Sequence, residues 1–245
     1  MSRLSPARPG AGARSSGLQA LVLVALCLGL ASSQEERRDP LPEVDRERRV
    51  VRVPATLHLK RFREGSPPGH HLVTWGKGRA GQKALLETPV PDAAVLDALE
   101  ALGAKPGDNL RAEAWTKRAD PEDPAPDARA AGPRLELAVV LPDGKRRPLS
   151  DLVEDLDRHG FEWRLAGNRA LIPVWRSGCV VCLQSCPGSK VANARATMRD
   201  LERGRSRFRP SKLAESLGEG ARLVVEISFP APPAEEKTGA KTGSG

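Results

Sequence analysis

Short apolar segments with the period of a β-strand, separated by glycine and proline, dominate the sequence from residue 50 onward. In VVRVPATLHL, residues 50–59, apolar and polar residues alternate, as they do in a strand with one buried face. Pro54 cannot donate a hydrogen bond to a neighbouring strand, which predicts that this strand lies at an edge. HHLVTW and KALLET, residues 70–75 and 83–88, predict two further strands joined by the glycine-rich hairpin loop GKGRAG.

One segment has clear helical periodicity. In PDAAVLDALEALGAKPG, residues 91–107, the apolar side chains fall on one face, Asp92 can cap the first turn, and Gly103 suits a left-handed helix end. Further strands are predicted for NLRAEAW, RLELAVVL, FEWRLAG, ALIPVW and ARLVVEISF, and further helices for DLVEDL and KVANARATMRDLERG. The chain is therefore predicted to have an α+β fold of mostly antiparallel, hairpin-linked strands with two or three short helices.

The first 33 residues have the composition of an export signal. Arg3, Arg8 and Arg14 precede the apolar run LQALVLVALCLGLASS, after which Gln34 would begin the mature chain. The apolar stretch is about a dozen residues long, shorter than the roughly 20 that a membrane-spanning helix needs. A cleaved signal peptide over residues 1–33 is therefore predicted, with an exported protein, periplasmic or extracellular, and no membrane attachment after cleavage.

Charged, proline-containing stretches flank the predicted domain. Residues 34–49 are predicted to be a linker, residues 50–229 the domain, and residues 230–245 a disordered tail. Removing the signal takes away three arginines and no acid, so the formal net charge falls from +8 to +5. Aromatic residues make up 3% of the chain and tyrosine is absent, so the stacking surfaces of single-strand binders are missing. No nucleic acid partner is predicted.

Three cysteines within eight residues are the feature that bears most on function. In SGCVVCLQSCPGSK, residues 177–190, Cys179, Cys182 and Cys186 have the spacing C-x2-C-x3-C and precede a proline. The spacing matches the second half of the ferredoxin pattern C-x2-C-x2-C-x3-C-P, whose thiolates bind an iron–sulfur cluster. Arg176 stands where the first ligand would be, so a cluster would need a fourth ligand from elsewhere.

The identity of a metal at these three cysteines stays open. Thiolates with a distant histidine select Cu(I), and three cysteines with one histidine suit Zn(II). The histidines available are His58, His70, His71 and His159. Adjacent side chains of a strand face opposite sides, so both His70 and His71 are not expected at one ion and are predicted to lie on the surface.

A disulfide is the alternative use of the thiols. An oxidising compartment favours pairing of two of the three cysteines and leaves one thiol over. The only other cysteine, Cys27, lies in the predicted signal. The sequence contains no nucleophile elbow, phosphate loop or zinc-protease motif. No catalytic residue and no enzymatic activity are therefore predicted.

From about residue 50 to 229 the chain resembles the YdjY-type domain family of exported bacterial proteins, described as ferredoxin-like. The resemblance rests on ALLETPVPDAAVLDALEALGAKPGDNL, FEWRLAGN and above all SGCVVCLQSCPGSKVANARATMRD. It implies that function lies in the cluster of Cys179, Cys182 and Cys186. A His-Glu pair of the family pattern is replaced here by Gln82-Lys83, which removes a natural ligand from the first half of the domain.

These observations predict an exported, non-enzymatic YdjY-type protein whose cysteine loop binds a metal or a 4Fe–4S, ferredoxin-like centre. The predicted metal ligands are Cys179, Cys182 and Cys186, and the implied role is electron transfer with a redox partner protein. The alternative is an extracytoplasmic structural or interaction module, in which the same loop contains a disulfide and no metal.

Overall fold

The computed structural model describes residues 39–64 and 69–230. The predicted signal peptide, residues 34–38 of the predicted linker and residues 231–245 of the predicted tail lie outside the described residues.

Twelve strands and six short α-helices form within the described residues. The strands are β1 (Glu43–Asp45), β2 (Val50–Leu57), β3 (His71–Trp75), β4 (Leu86–Thr88), β5 (Glu136–Val140), β6 (Arg146–Pro148), β7 (Val153–Asp155), β8 (Trp163–Leu165), β9 (Cys179–Cys182), β10 (Val191–Asn193), β11 (Phe208–Pro210) and β12 (Arg222–Ser228). The helices are α1 (Leu59–Glu64), α2 (Asp92–Ala101), α3 (Glu113–Thr116), α4 (Ile172–Trp175), α5 (Met198–Glu202) and α6 (Lys212–Leu217).

Ten strands form one sheet, in which β1 pairs with β2 and the others follow the order β6-β5-β12-β2-β4-β3-β9-β10-β8. Strands β7 and β11 form a separate pair. Only β3 with β4 and β9 with β10 pair in parallel among the described residues. The fold is therefore α+β and mostly antiparallel, as predicted. It has more helices than the two or three expected, because most of them are too short to show a periodic pattern.

The prediction that the strands are hairpin-linked is correct at only two places in the described residues, β1–β2 and β5–β6. Strands β3 and β4 are consecutive but parallel, so residues 76–85 cross back over the sheet instead of forming the predicted hairpin loop. A parallel pair requires such a crossover, because its second strand must start from the same end as the first.

The prediction that Pro54 places its strand at an edge is wrong. Strand β2 pairs with β12 along nearly its whole length on one side. On the other side it pairs with β1 through residues 50–52 and with β4 through Thr56 and Leu57. Pro54 lies in the gap between these two partners, where the missing N–H interrupts no pairing in the described part of the sheet. The centre of a sheet thus tolerates this proline.

Several short segments also differ from their predicted structures. NLRAEAW contains α3, ALIPVW forms a 3-10 turn followed by α4, and DLVEDL passes from a 3-10 turn into β7. KVANARATMRDLERG begins as β10 and becomes helical only at Met198, where Thr197 and Asp200 form a capping box. Strand β1 lies within the segment predicted to be a linker and pairs with β2, so the described sheet includes part of that segment.

The core is built as the periodic segments predict. Val53 of β2 and Val225 of β12 are fully buried and lie opposite each other in the sheet. Leu96 and Leu99 of α2 pack against this core, and Gly103 takes the left-handed conformation after the helix. Asp92 does not cap α2, whose first residue it is. None of the helices in residues 39–64 and 69–230 combines the length and hydrophobicity of a membrane span.

Glu226 of β12 is a buried charge held by two arginines. Arg52 donates Nε to one carboxylate oxygen and Arg146 donates Nε to the other, both at 2.8 Å. Burial acts to raise the pKa of Glu226, but these hydrogen bonds outweigh it and hold the pKa below its usual value. The carboxylate therefore stabilises the fold above the unfolded-state pKa of about 4.3, and this contribution is lost as pH falls through the lower folded-state pKa.

We expect Glu226→Gln to lower the free energy of unfolding at pH 7 by about 1–3 kcal/mol, because charged hydrogen bonds to both arginines are lost. The difference from the parent protein should shrink as pH falls below about 4. Urea denaturation between pH 3 and 7 measures both effects. Glu122→Gln, at an exposed position, is the matched control. A difference that is independent of pH would contradict the assignment.

Candidate metal centre

A break in strand pairing brings two of the cysteines together. Cys179 and Cys182 begin and end β9, and residues three apart in a regular strand face opposite sides. The pairing of β9 with β3 shifts in register between His71 and Val73 and again before Thr74, as at a β-bulge. The two sulfur atoms and a His71 ring nitrogen all lie within 4.8 Å of one another. The bulged pairing therefore creates the site.

The third cysteine joins this group from the loop after β9. The Nδ1 atom of His71 lies 3.3 Å from Sγ of Cys179. Cys179 and Cys186 both lie close enough to Cys182 to shift its pKa, and the Cys182 thiol lies 3.3 Å from the carbonyl oxygen of His70. All three cysteines are buried free thiols. Cys182 is thus the central member of the cluster.

The loop of residues 183–190 is buried throughout, which is uncommon for a segment without regular structure. Its polar groups have partners inside the protein. The Gln184 amide donates to the Ser206 hydroxyl at 2.9 Å, and the Ser189 hydroxyl donates to the Cys186 carbonyl at 2.7 Å. Because the loop is both buried and hydrogen-bonded, Cys186 is held in place before any ligand arrives.

Lys190 closes the loop with a buried charge. Its side chain is 1% exposed, and its Nζ lies 3.5 Å from a carboxylate oxygen of Asp92. The same ammonium donates to the Gly188 carbonyl at 3.1 Å. Asp92 begins α2, and Lys190 directly precedes β10. The ion pair therefore fixes the cysteine loop to the longest helix in the described residues.

Burial and neighbouring groups raise the pKa of two of the thiols, Cys182 and Cys186. For Cys182, burial is the main cause of a strongly raised pKa, followed by the hydrogen bond to Cys179. For Cys186, the hydrogen bond to Cys182 is the main cause, followed by burial, while the charge of Lys190 acts in the opposite direction. A metal ion that binds here must displace thiol protons, so its affinity falls as pH falls.

The His71 imidazole has a lowered pKa. Burial lowers its pKa well below the usual value, and the charges of His70 and Lys83 add to this effect. The imidazole is therefore uncharged near neutral pH. A neutral ring nitrogen is the form of histidine that binds metals.

A cavity of about 410 Å³ opens above the loop, and we call it the cysteine pocket. The buried side chains of His71 and Cys186 line it, Trp115 and Trp175 contribute apolar surface, and Arg79 and Lys83 contribute exposed charges. Cys179 and Cys182 do not line it. The pocket therefore gives solvent a path to one thiol of the three.

The structure places Cys179, Cys182 and Cys186 in one buried cluster, and it places His71, one of the four candidate histidines, beside the first two. The prediction that His70 and His71 lie on the surface is wrong, since they are 3% and 8% exposed and their rings are 3.7 Å apart. The alternation rule does not apply to them, because His70 precedes β3 and the bulge follows His71. The remaining two histidines lie elsewhere: His58 contacts Glu219, and His159 contacts the Arg205 carbonyl.

The sequence patterns did not identify Trp115, Trp175 and Met198 as neighbours of the cysteines. Met198 is buried in one cluster with the three thiols, and the two tryptophans pack against that cluster. Both tryptophans lie in segments that were predicted to be strands. These residue types are rare in the chain, which has four tryptophans and, after Met1, a single methionine. Their rarity is the sequence signal that could have singled them out.

The comparisons with known proteins agree with this location. A family model described as the YdjY domain matches residues 43–227, which include the bulged strand pair and the whole cysteine loop. A protein of Escherichia coli (strain K12), described as Uncharacterized protein YdjY, is 26% identical over 203 residues, covering 79% of this chain and 86% of the relative. No solved structure matches the chain.

Removing one partner of the buried ion pair tests its structural role. We expect Lys190→Met to lower the free energy of unfolding by about 3–5 kcal/mol, because it leaves the Asp92 carboxylate buried without a partner. The double variant Asp92→Leu with Lys190→Met should lose less than the sum of the single changes. Urea denaturation measures the cycle, and additive effects would contradict the pairing. Arg63→Met, which breaks an exposed pair with Glu215, is the control and should cost less than about 1 kcal/mol.

Alkylation tests the access to the thiols. In the reduced, metal-free protein we expect iodoacetamide to modify Cys186 first, since Cys186 is 4% exposed at the pocket and the other two cysteines are 0% exposed. Its reaction should be slower than that of free cysteine, because the raised pKa leaves little thiolate. Peptide mass spectrometry over time measures the order, and protein unfolded in urea is the control. Equal rates at Cys179 and Cys186 in the folded protein would contradict the geometry.

Proposed function

This chain belongs to the YdjY domain family, and we propose that it binds one soft metal ion, Cu(I) or Zn(II), at its cysteine loop. The ligands are Cys179, Cys182 and the Nδ1 atom of His71, with Cys186 as the fourth. The observation that carries the proposal is the grouping of the first three ligand atoms within 4.8 Å of one another on the bulged strand pair.

These separations support one ion over a four-iron cluster. A tetrahedral zinc ion with bonds of about 2.3 Å to sulfur and about 2.0 Å to nitrogen places its ligand atoms about 3.5–3.8 Å apart. The 3.3 Å between His71 and Cys179 is close to this value. In a cubane, each thiolate binds a different iron, so the sulfur atoms must stand further apart than around one ion. The 4Fe–4S centre suggested by the cysteine spacing is therefore the weaker candidate.

Cys186 distinguishes the two metals. Its thiol contacts Cys182, but it does not belong to the group of three within 4.8 Å. Cu(I) accepts three ligands and favours thiolates, so the three grouped atoms are sufficient for it. Structural zinc takes four ligands, so Zn(II) needs Cys186 to move onto the ion. The positive charge of Lys190 favours the thiolate form of Cys186 and supports this role.

The proposal includes a location and a role. The leader pattern supports export to the periplasm or the cell exterior, and the protein acts there by binding and not by catalysis. Electron transfer with a redox partner protein is possible for the copper form only, because zinc has no second accessible oxidation state.

The thiol contacts also support a second candidate function. Cys182 lies in one buried cluster with both other thiols, so an oxidising compartment favours a disulfide from Cys182 to Cys179 or to Cys186. The protein would then be a structural or interaction module with one free thiol in the loop.

Metal titration of the reduced full chain tests the proposal. We expect one Co(II), Zn(II) or Cu(I) per chain, with intense thiolate-to-cobalt absorption for the Co(II) form. Cys182→Ser should abolish binding of all three ions, since it removes the central thiol. Cys186→Ser should weaken Zn(II) binding at least about tenfold and leave Cu(I) binding nearly unchanged, because only zinc needs the fourth ligand.

Matched controls exist in the same chain. Cys27→Ser removes a cysteine from the leader, and His58→Gln removes a histidine that contacts Glu219, so neither should change metal binding. His71→Gln should weaken it. Protein taken from its own compartment with no metal and a single free thiol in the loop would support the disulfide module instead. Four irons with sulfide per chain would support the cluster.

A further inference from the structure

The cysteine pocket has a composition of its own, distinct from that of the thiol cluster beneath it. Two of the proposed metal ligands, Cys179 and Cys182, do not line it, and the other two, His71 and Cys186, do so at the side facing the cluster. We infer that the pocket binds a small organic anion with a flat apolar body. This inference goes beyond metal binding and depends on different side chains, above all Arg79, Trp115 and Trp175.

The charges around the pocket are of one sign. Arg79 and Lys83 both line it, and none of the lining residues in the described part of the chain is acidic. Arg79 is exposed and takes part in no ion pair with a described residue, whereas Arg61, on the nearby helix α1, is paired with Glu87. A guanidinium with open donors beside a second cation attracts carboxylates and similar anions.

Arg79 is held in position by backbone contacts. Its amide donates to the Arg176 carbonyl at 2.9 Å, and the Ala80 amide donates to the Ser177 carbonyl at 3.0 Å. The two segments touch so closely that a Cβ on Gly78 would lie 2.5 Å from the Gly178 Cα. The crossover between β3 and β4 is thereby fixed against the start of the cysteine segment, so that Arg79 stands at the pocket without the help of a ligand.

The walls of the pocket are apolar and partly preformed. The Trp115 ring has the Arg118 guanidinium 4.3 Å from its centroid and the His70 ring stacked 6.0 Å away. Val174 lines the same pocket and is 65% exposed. A flat apolar body lying on the tryptophans would cover Val174 and remove its surface from water.

The size of the pocket indicates a small molecule. Its volume of about 410 Å³ falls in the range of roughly 300–1,000 Å³ that is typical of small-molecule sites. Apolar walls with a few convergent charges are the usual design of such sites. An aromatic or similarly flat carboxylate combines the required charge, shape and size.

Isothermal titration calorimetry with 2-naphthoate and its neutral isostere 2-naphthamide tests the inference on the full chain, with and without Zn(II). We expect the carboxylate to bind at least about tenfold more tightly than the amide. Arg79→Gln should reduce the affinity for 2-naphthoate about tenfold and leave the amide unchanged. Val174→Asp, at an exposed position that should not disturb folding, should weaken the carboxylate more than the amide, because it adds a repelling charge to the loss of an apolar contact that both ligands share.

The controls separate this inference from the metal proposal. Arg203→Gln changes an exposed arginine away from the pocket and should have no effect on the anion. Cys182→Ser should lose metal binding and keep anion binding, so the two proposals can fail independently. Equal binding of carboxylate and amide, absence of binding by both, or full affinity in Arg79→Gln and Val174→Asp would overturn the anion site.

Discussion

The ion pair between Lys190 and Asp92 is the interaction on which the functional part of the fold depends. Taking two charges out of water costs several kcal/mol per ion, and only their mutual attraction with good hydrogen bonding offsets this. Lys190 meets both conditions, because its ammonium contacts Asp92 and also donates to Gly188. The pair is satisfied only when α2 and the cysteine loop occupy their native places. It therefore favours one arrangement over compact alternatives that an apolar contact would also permit.

The bulge between β3 and β9 determines where the thiols and the His71 ring meet. A regular pairing would direct Cys179 and Cys182 to opposite sides of the sheet. The shift in register interrupts the regular backbone pairing and brings two thiols and a His71 ring nitrogen within 4.8 Å of one another. Ligands held by strands are positioned more firmly than ligands held by exposed loops, and here even the loop that supplies Cys186 is buried.

The sequence predicts the parts of this protein that have long, regular patterns. The alternation of β2 and β12 and the periodicity of α2 are confirmed, since each buries one continuous apolar face. The three thiols were singled out from their spacing alone, and the structure places them in one buried cluster. The segments around Trp115 and Trp175 were mistaken for strands, because a helix of four residues is too short to show the helical spacing of apolar side chains. His71 was among the candidate histidines but was predicted to lie on the surface, because strand register depends on residues that are distant in sequence, and no local pattern contains a bulge.

The buried state of the thiol cluster has a consequence for the rate at which an ion arrives and departs. Cys179 and Cys182 have no exposed surface, whereas Cys186 and His71 both line the cysteine pocket. An ion bound to the two inner thiols would have to pass these two side chains in both directions. Cys186 and His71 would then determine how fast metal exchanges, while the inner thiols determine how tightly it is held. A site of this kind can keep a weakly bound ion for a long time, since retention depends on the height of the exit barrier.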